Sequence, residues 1–550
     1  MYAFVRRLAV IGVLLFACAG PAGAALPVHQ GHPILPASTA PSTSPRILRA
    51  YPNTLIELDH VGNGGAEFAL QEAGGTQIDP EIALWRVPSA AAARLLPALR
   101  RTGLVRSVSP DVALQAAPTA PAPVTPHFSA EWWIPAVGAD KWTPPGPGVS
   151  LTMIDSGVDA SNPEFLNRPN TTYLNTQSFD SNVEELHGTA TASVAAAQGV
   201  AMTGIYPKAN LQLWDASPAG TLTVGAEIAG LADAVKHGRS VINLSLGGFD
   251  RLPVEEHAIL AAFGAGSLVV ASAGNDREEG SPLSYPASFA HVLTVGATDE
   301  TNAVADFSSA SPHMDLAAPG EDMEVAVPSQ WAENSDDPYD VYDGTSFSAP
   351  LVSGAAAAVW TLRPSLTNTQ LFEVMRRSAH HLGKRGWNRS TGYGILDVPA
   401  AVARKAPAAD PQEPNEDIYL VKPNGLFRAG HAPLTAPGRP ARVLRAHLEQ
   451  DDDPEDVYRA YLPAKGRLIV TVKPDVNVSL EVWGRRTTTV FERGAAAKRD
   501  LLGSSTLPGA RSERVVVNGR GLGQYVYLDV FLPKPVREAG YTIRVGTSRR

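Results

Sequence analysis

The segment Asp343-Gly344-Thr345-Ser346-Phe347-Ser348-Ala349-Pro350 constrains this chain more than any other stretch. A turn-forming Asp-Gly-Thr places Ser346 directly ahead of an Ala-rich apolar run, Ala349 to Trp360, which is predicted to form a buried helix. A serine at a helix N-terminus sits at the positive end of the dipole, among backbone N–H groups with no partner inside the helix. An acyl-transfer nucleophile needs such donors nearby when charge develops on a carbonyl oxygen. By itself the octapeptide also fits a plain helix cap at a tight turn. Its meaning depends on what the rest of the chain supplies.

Two upstream motifs supply it. Ser150 to Ile154 is a predicted strand ending in Asp155-Ser156-Gly157, which puts Asp155 at the carboxyl end, where catalytic groups collect in open α/β sheets. His187-Gly188-Thr189 opens the small, apolar run Ala190 to Ala197, again a polar side chain at the entrance to a packed helix. An imidazole that takes the serine proton, and a carboxylate that fixes and stabilises the imidazolium, together activate a weak hydroxyl nucleophile. A fourth piece is Leu268 to Ala273, a predicted buried strand that breaks at Gly274 into Asn275. The Asn275 amide is placed to donate to an oxyanion together with the backbone N–H of Ser346. Each residue also has an ordinary use: Asp155 and Asn275 in turn chemistry, His187 as one of 13 histidines. Their joint occurrence selects the chemistry.

Asp-Ser-Gly, His-Gly-Thr, Ser-Ala-Gly-Asn and Gly-Thr-Ser-Phe-Ser-Ala-Pro, in the chain order Asp, His, Ser, resemble the signatures of the subtilisin-like serine protease (subtilase) family. The spacing agrees: 32 residues from Asp155 to His187 (187 − 155) and 159 from His187 to Ser346 (346 − 187). Asn243-Leu244-Ser245-Leu246-Gly247-Gly248, Tyr285-Pro286-Ala287, Val295-Gly296-Ala297, Leu316 to Gly320 and Gly392 to Asp397 add to the resemblance, which spans residues 130–405. It implies an α/β fold with a mostly parallel central sheet flanked by helices. It also implies a serine endopeptidase acting on protein or peptide substrates through Asp155, His187 and Ser346, with Asn275 at the oxyanion. An extended substrate would pair along Ser245, Leu246, Gly247 and Gly248, with Ala273 and Gly274 lining the same cleft, and no cofactor or catalytic metal is required. Departures are small: Phe347 stands where Met is common, Ser348 where Ala is common, and a glycine is missing near Ser308 to Pro312.

Other classes are separable on the same residues. A catalytically inactive scaffold that binds peptides would not need Asp155, His187, Asn275 and Ser346 all intact. The acid-active sedolisin type shares Gly-Thr-Ser but would use a Glu as base and an Asp at the oxyanion. An α/β-hydrolase would place its serine in Gly-x-Ser-x-Gly, which Ser346 lacks.

Around this region, 550 residues leave room for further domains. Residues 1–25 read as a secretory signal: Arg6 and Arg7, the short apolar run Leu8 to Ala19, then Ala22-Gly23-Ala24, too short to span a bilayer. The one cysteine, Cys18, allows an alternative lipid anchor, and no segment reads as transmembrane. Residues 26–45 are a Pro/Ser/Ala linker. Residues 46–115, with predicted strands at Thr54 to Leu58, Ile82 to Val87 and Leu104 to Asp111 and a helix capped by Ser89, resemble the α+β propeptide of subtilases, an intramolecular inhibitor of its own enzyme. A Pro-rich connector (116–127), the catalytic region (128–405) and a second linker (406–440) follow.

Beyond it the period changes to two, with strands predicted at Arg467 to Val472, Val478 to Trp483, Arg514 to Val517, Tyr525 to Val530 and Tyr541 to Val545, implying a β-sandwich over 441–550. This part resembles the pre-peptidase C-terminal domain of secreted bacterial proteases. Its acidic run, Asp452 to Asp456, is either a solvated loop or a structural calcium site built from hard oxygen ligands. The net charge of −9 and the lack of a basic stripe exclude a nucleic-acid partner.

Overall fold

The computed structural model describes residues 52–59, 62, 64–112, 115–116, 131–175, 186–218, 220–328, 330–332, 337–383 and 386–549. The expected signal, the first linker and most of the Pro-rich connector lie outside these residues. No helix among the described residues is long and apolar enough to cross a membrane.

The N-terminal module is an antiparallel sheet of β1 (Asn53–Leu58), β2 (Thr76–Asp79), β3 (Leu84–Pro88) and β4 (Val105–Pro110), in the order β2-β3-β1-β4. Helices α1 (Gly64–Glu72) and α2 (Ser89–Arg101) cover one face. Strand alternation explains the two-sided burial. Ile56 and Trp85 point into the module's own core, whereas their neighbours Leu55 and Leu84 join the core of the next domain. Ser89 does not cap α2 as expected: its hydroxyl bonds Thr54 Oγ1 at 2.7 Å and no side-chain cap bond forms. After β4 the chain forms a two-residue strand, β5 (Gln115–Ala116).

The central domain is built on seven strands: β6 (Ser150–Asp155), β7 (Thr171–Tyr173), β8 (Asn210–Asp215), β9 (Ser240–Leu244), then after a short β10 (Leu246–Gly247), β11 (Leu268–Ser272), β12 (Val292–Thr298) and β13 (Met314–Pro319). Apart from β10 they form one sheet, β13-β12-β11-β9-β6-β8-β7, and every neighbouring pair is parallel. A small hairpin, β14 (Met323–Ala326) and β15 (Tyr339–Tyr342), stands apart.

Helices α3 (Leu186–Ala196), α4 (Val224–Lys236), α5 (Pro253–Gly264), α6 (Thr345–Leu362) and α7 (Asn368–Ser378) flank the sheet. Leu151, Met153 and Val270 meet α3 and α6 on one face; Ile154, Ile242 and Val269 meet α4 and α5 on the other. A parallel sheet buried on both faces is why these strands read as unbroken apolar runs. The expected α/β architecture is present.

At the C-terminus, β16 (Ala441–Glu449), β17 (Glu455–Leu462), β18 (Gly466–Pro474), β19 (Ser479–Trp483), β20 (Leu501–Ser505), β21 (Glu513–Asn518), β22 (Gln524–Phe531) and β23 (Glu538–Arg549) form two antiparallel sheets, β16-β23-β18-β21 and β17-β22-β19-β20. Leu448, Val470, Leu480 and Leu528 fill the space between them, as in a β-sandwich.

Two expectations change here. The acidic run is no solvated loop: Asp452, Glu455 and Asp456 are buried, and β17 starts inside it. Nor is 406–440 simply a linker. Within it α8 (Ile418–Val421) and Leu426 join the core shared with Ile259, Val457 and Trp483. The segment is a packed wedge between catalytic domain and sandwich, and Arg106 of the N-terminal module donates to its Gly425 carbonyl at 2.7 Å.

Candidate active site

Asp155 closes β6 and is buried. His187 is the second residue of α3, and Ser346 the second of α6. Two glycines let the first two elements touch. A Cβ on Gly188 would fall 2.1 Å from the Gly157 carbonyl oxygen, and Gly157 itself has φ +91°. The start of α3 therefore closes onto the turn after Asp155 only because Gly188 carries no side chain, and the turn itself uses the positive φ that glycine adopts freely. Across that contact His187 Nδ1 lies 2.8 Å from Asp155 Oδ1. Two further donors reach the carboxylate: Ser156 N–H donates to Oδ1 at 2.7 Å and the Thr191 hydroxyl to Oδ2 at 2.9 Å.

The other imidazole nitrogen, Nε2, is buried without a hydrogen-bond partner. Ser346 Oγ donates instead to the Ser245 carbonyl, at 3.4 Å. Bonds between nucleophile and base are commonly loose without substrate and tighten in the complex. Ser346 is fully buried, with Phe347 behind it, tilted toward His187 at a ring-centroid distance of 6.4 Å.

Asn275 follows β11 and Gly274, which has φ +98°. Its Oδ1 accepts from both the backbone N–H and the hydroxyl of Thr345, at 3.0 and 2.8 Å. Gly274 N–H in turn donates to that hydroxyl at 3.2 Å. The amide is thus pinned beside the Ser346 N–H at the start of α6. Ala273 is buried below it.

Of the expected substrate-binding residues, Leu246 and Gly247 form β10, at the edge of the cleft. Ser245 uses its hydroxyl inward, donating to the Ser346 carbonyl at 2.8 Å and accepting from Asn243 Nδ2 at 2.9 Å. Packing requires glycine at 247: a Cβ there would lie 2.7 Å from Ser284 Oγ and 2.8 Å from the Tyr285 carbonyl. Gly248 is tied to Tyr285 by two backbone bonds of 2.8 Å.

One partner for β10 comes from the chain itself. β5 pairs with it antiparallel, Ala116 opposite Leu246 and Gln115 opposite Gly247. Upstream of β5, Asp111 accepts from the Gly225 N–H at the start of α4 at 2.9 Å and holds Arg86 at 2.9 Å. Glu57 on β1 is fully buried against α5, where it meets His257 Nδ1 at 2.9 Å, Arg106 at 3.2 Å and Ser107 at 2.8 Å. Burial pushes the Glu57 carboxyl up, but His257 and Arg106 more than offset this and hold it below its ordinary value.

The structure brings Asp155 and His187 together and sets Asn275 next to the start of α6, which carries Ser346; Ser156, Thr191 and Thr345, which hold these side chains, were not singled out from the sequence. Each lies inside or just after a motif already singled out. The departure at Ser348 also has a reason: its hydroxyl donates to the Ala318 and Pro319 carbonyls at 3.0 Å, beside Gly320, where a Cβ would come within 2.3 Å of that hydroxyl oxygen.

A model of the subtilase family matches residues 146–394. Subtilisin amylosacchariticus of Bacillus subtilis subsp. amylosacchariticus is 30% identical over 283 residues, covering 50% of this chain and 71% of that protein. Subtilisin of Bacillus pumilus is 30% identical over 283 residues, covering 50% of this chain and 98% of its own. Among solved structures, fervidolysin from Fervidobacterium pennivorans, a keratinolytic enzyme related to subtilisin, aligns with a TM-score of 0.56 over 84% of each chain, at 18% identity. That last likeness concerns the fold. The chain belongs to the subtilase family, and it is a subtilisin-like serine endopeptidase.

Proposed function

We propose that this endopeptidase works through an Asp155–His187–Ser346 triad and is made as a secreted zymogen that processes itself. The observation that carries the reading is His187: one nitrogen is fixed by Asp155 and the other is buried without a partner. An imidazole held this way accepts a proton at Nε2 and not at Nδ1. Ser346 Oγ would attack the scissile carbonyl carbon as its proton passes to Nε2. The oxyanion would be held by the Asn275 amide and the Ser346 N–H. Collapse expels the amine, which takes the proton from His187, and water then hydrolyses the acyl-enzyme by the same route.

The N-terminal module serves as intramolecular inhibitor in this reading. β5 occupies the edge where a substrate strand would add. Cleavage in cis would free that edge. The basic, apolar first 25 residues give secretion its support, and protein or peptide chains are the substrates. N-terminal mass spectrometry of secreted wild type and Ser346→Ala tests the reading: wild type should lose the module and Ser346→Ala keep it. The same mature N-terminus in both, made without other proteases, would refute self-processing.

A further inference from the structure

The outer face of one sandwich sheet carries a regular row of positive charge. In the sheet β16-β23-β18-β21 side chains alternate between the two faces. Leu444, Ile543, Val472 and Val515 point into the sandwich core. Their sequence neighbours Arg445, Arg544, Lys473 and Arg514 therefore point outward, and all four are exposed. The strand registers decide how they line up. Arg445 stands opposite Thr542 and Arg544 opposite Val443; across the next pair of strands Lys473 stands opposite Thr542 and Arg544 opposite Thr471. Arg514 in turn stands opposite Thr471. Each of the four strands thus contributes one cation, and each cation is the diagonal neighbour of the next, about 7–8 Å away.

Nothing on the protein neutralises this row. Among the described residues none of the four side chains has a hydrogen bond, ion pair or ring contact. The outward positions beside them, Val443, Ile469, Thr471, Val516, Asn518 and Thr542, include no carboxylate. Carboxylates at the end of the sheet are committed: Asp475 Oδ1 accepts from the Gly540 N–H at 2.9 Å, and Glu538 pairs with Arg377. A chain with a net charge of −9 therefore gathers unpaired cations on one surface. Like charges this close repel one another, and a bound polyanion would remove that cost.

We propose that this face docks a linear polyuronate, a polysaccharide bearing one carboxylate per sugar, and so anchors the protease to an acidic glycan. The three guanidinium groups match carboxylates as planar forks, and Lys473 adds a point charge. Beside them Val443 is 50% and Val516 37% exposed, which offers aliphatic surface to the C–H faces of sugar rings. Duplex DNA carries about one charge per 1.7 Å of axis, far denser than this row. Single strands bind through aromatic platforms, and no aromatic side chain occupies these outward positions. A bilayer surface is met by an amphipathic helix, whereas this face is a sheet.

The test uses the full chain carrying Ser346→Ala to prevent self-digestion, titrated calorimetrically with polygalacturonate at low and at physiological salt. The parent should bind, and more weakly at the higher salt, because each carboxylate neutralised releases a counterion. Lys473→Gln combined with Arg544→Gln removes the middle of the row and should weaken binding at least about tenfold. Lys141→Gln combined with Lys208→Gln removes the same charge from exposed positions on the catalytic domain and should leave binding unchanged. Net charge is equal in the two double variants, so a difference between them reports the row itself. No binding by the parent, or a loss that is equal or absent in the two double variants, would overturn the proposal. Tighter binding of heparin, duplex DNA or phosphatidylglycerol vesicles than of polygalacturonate at the same salt would also overturn it.

Discussion

Thr345 donates twice to Asn275: its N–H reaches Oδ1 at 3.0 Å and its hydroxyl reaches the same atom at 2.8 Å. An N–H can only donate, so the pair fixes which end of the amide is oxygen. The nitrogen end, lying against Gly344, is left as the donor beside the Ser346 N–H.

Asn275→Ala should therefore lower kcat by roughly 10²–10³-fold with little change in KM, a range taken over from subtilisin and not built from this site. Thr345→Val keeps the N–H bond but loses the hydroxyl, so its kcat should fall less than that of Asn275→Ala. Steady-state kinetics on a peptide substrate reads both. A change confined to KM would assign Asn275 to substrate binding.

Asp155 accepts from Ser156 and His187 on one oxygen and from Thr191 on the other, so each oxygen faces a donor. Asp155→Asn would present an NH₂ group and invert the imidazole tautomer, lowering kcat by about 10⁴-fold. Thr191→Val removes a single bond to the charged carboxylate and should lower kcat about tenfold. Equal losses in the two variants would contradict these separate roles.

Helix α4 carries Glu227, fully buried, with neither oxygen paired. Burial pushes its carboxyl up from 4.5 to about 8. A folded-state value above the unfolded one means that the folded chain holds the extra proton between those values. Stability from this group is then lost as pH rises through that window. Glu227→Gln in the Ser346→Ala chain should flatten the fall of melting temperature between pH 5 and pH 8. An unchanged slope would contradict the assignment.

Much of this was legible in the sequence, because parallel strands buried on both faces are continuous apolar runs and the site residues sit at their ends. Asp155, Asn275 and Ser346 fall where a strand breaks or a helix begins, and that punctuation is local. What was not legible depends on contacts distant in sequence. Glu57 and His257 are 200 residues apart, and nothing local to either stretch marks them as a buried pair. Asp410 and Glu413 read as linker, and Asp453 as part of a solvated loop or a calcium site, since composition registers their charge but not the domain junction they pack into. β16 and β20 were missed because exposed and half-buried positions interrupt their apolar pattern.

At the substrate edge, the Gly247 Cβ position is occupied from behind by Ser284 and Tyr285. Gly247→Ala should displace β10 and weaken both peptide substrates and the separately supplied N-terminal module by about tenfold. KM and the inhibition constant should rise together. A rise in only one would mean that the module and the substrate do not share this strand.

The proposed chemistry requires Ser346 as the nucleophile and His187 as its base. Reaction of the mature enzyme with a fluorophosphonate, followed by peptide mapping, tests this directly. One adduct on Ser346 in the wild type, and none in His187→Ala under the same conditions, is the expected result. An adduct on another residue, or full peptide turnover by Ser346→Ala, would contradict it.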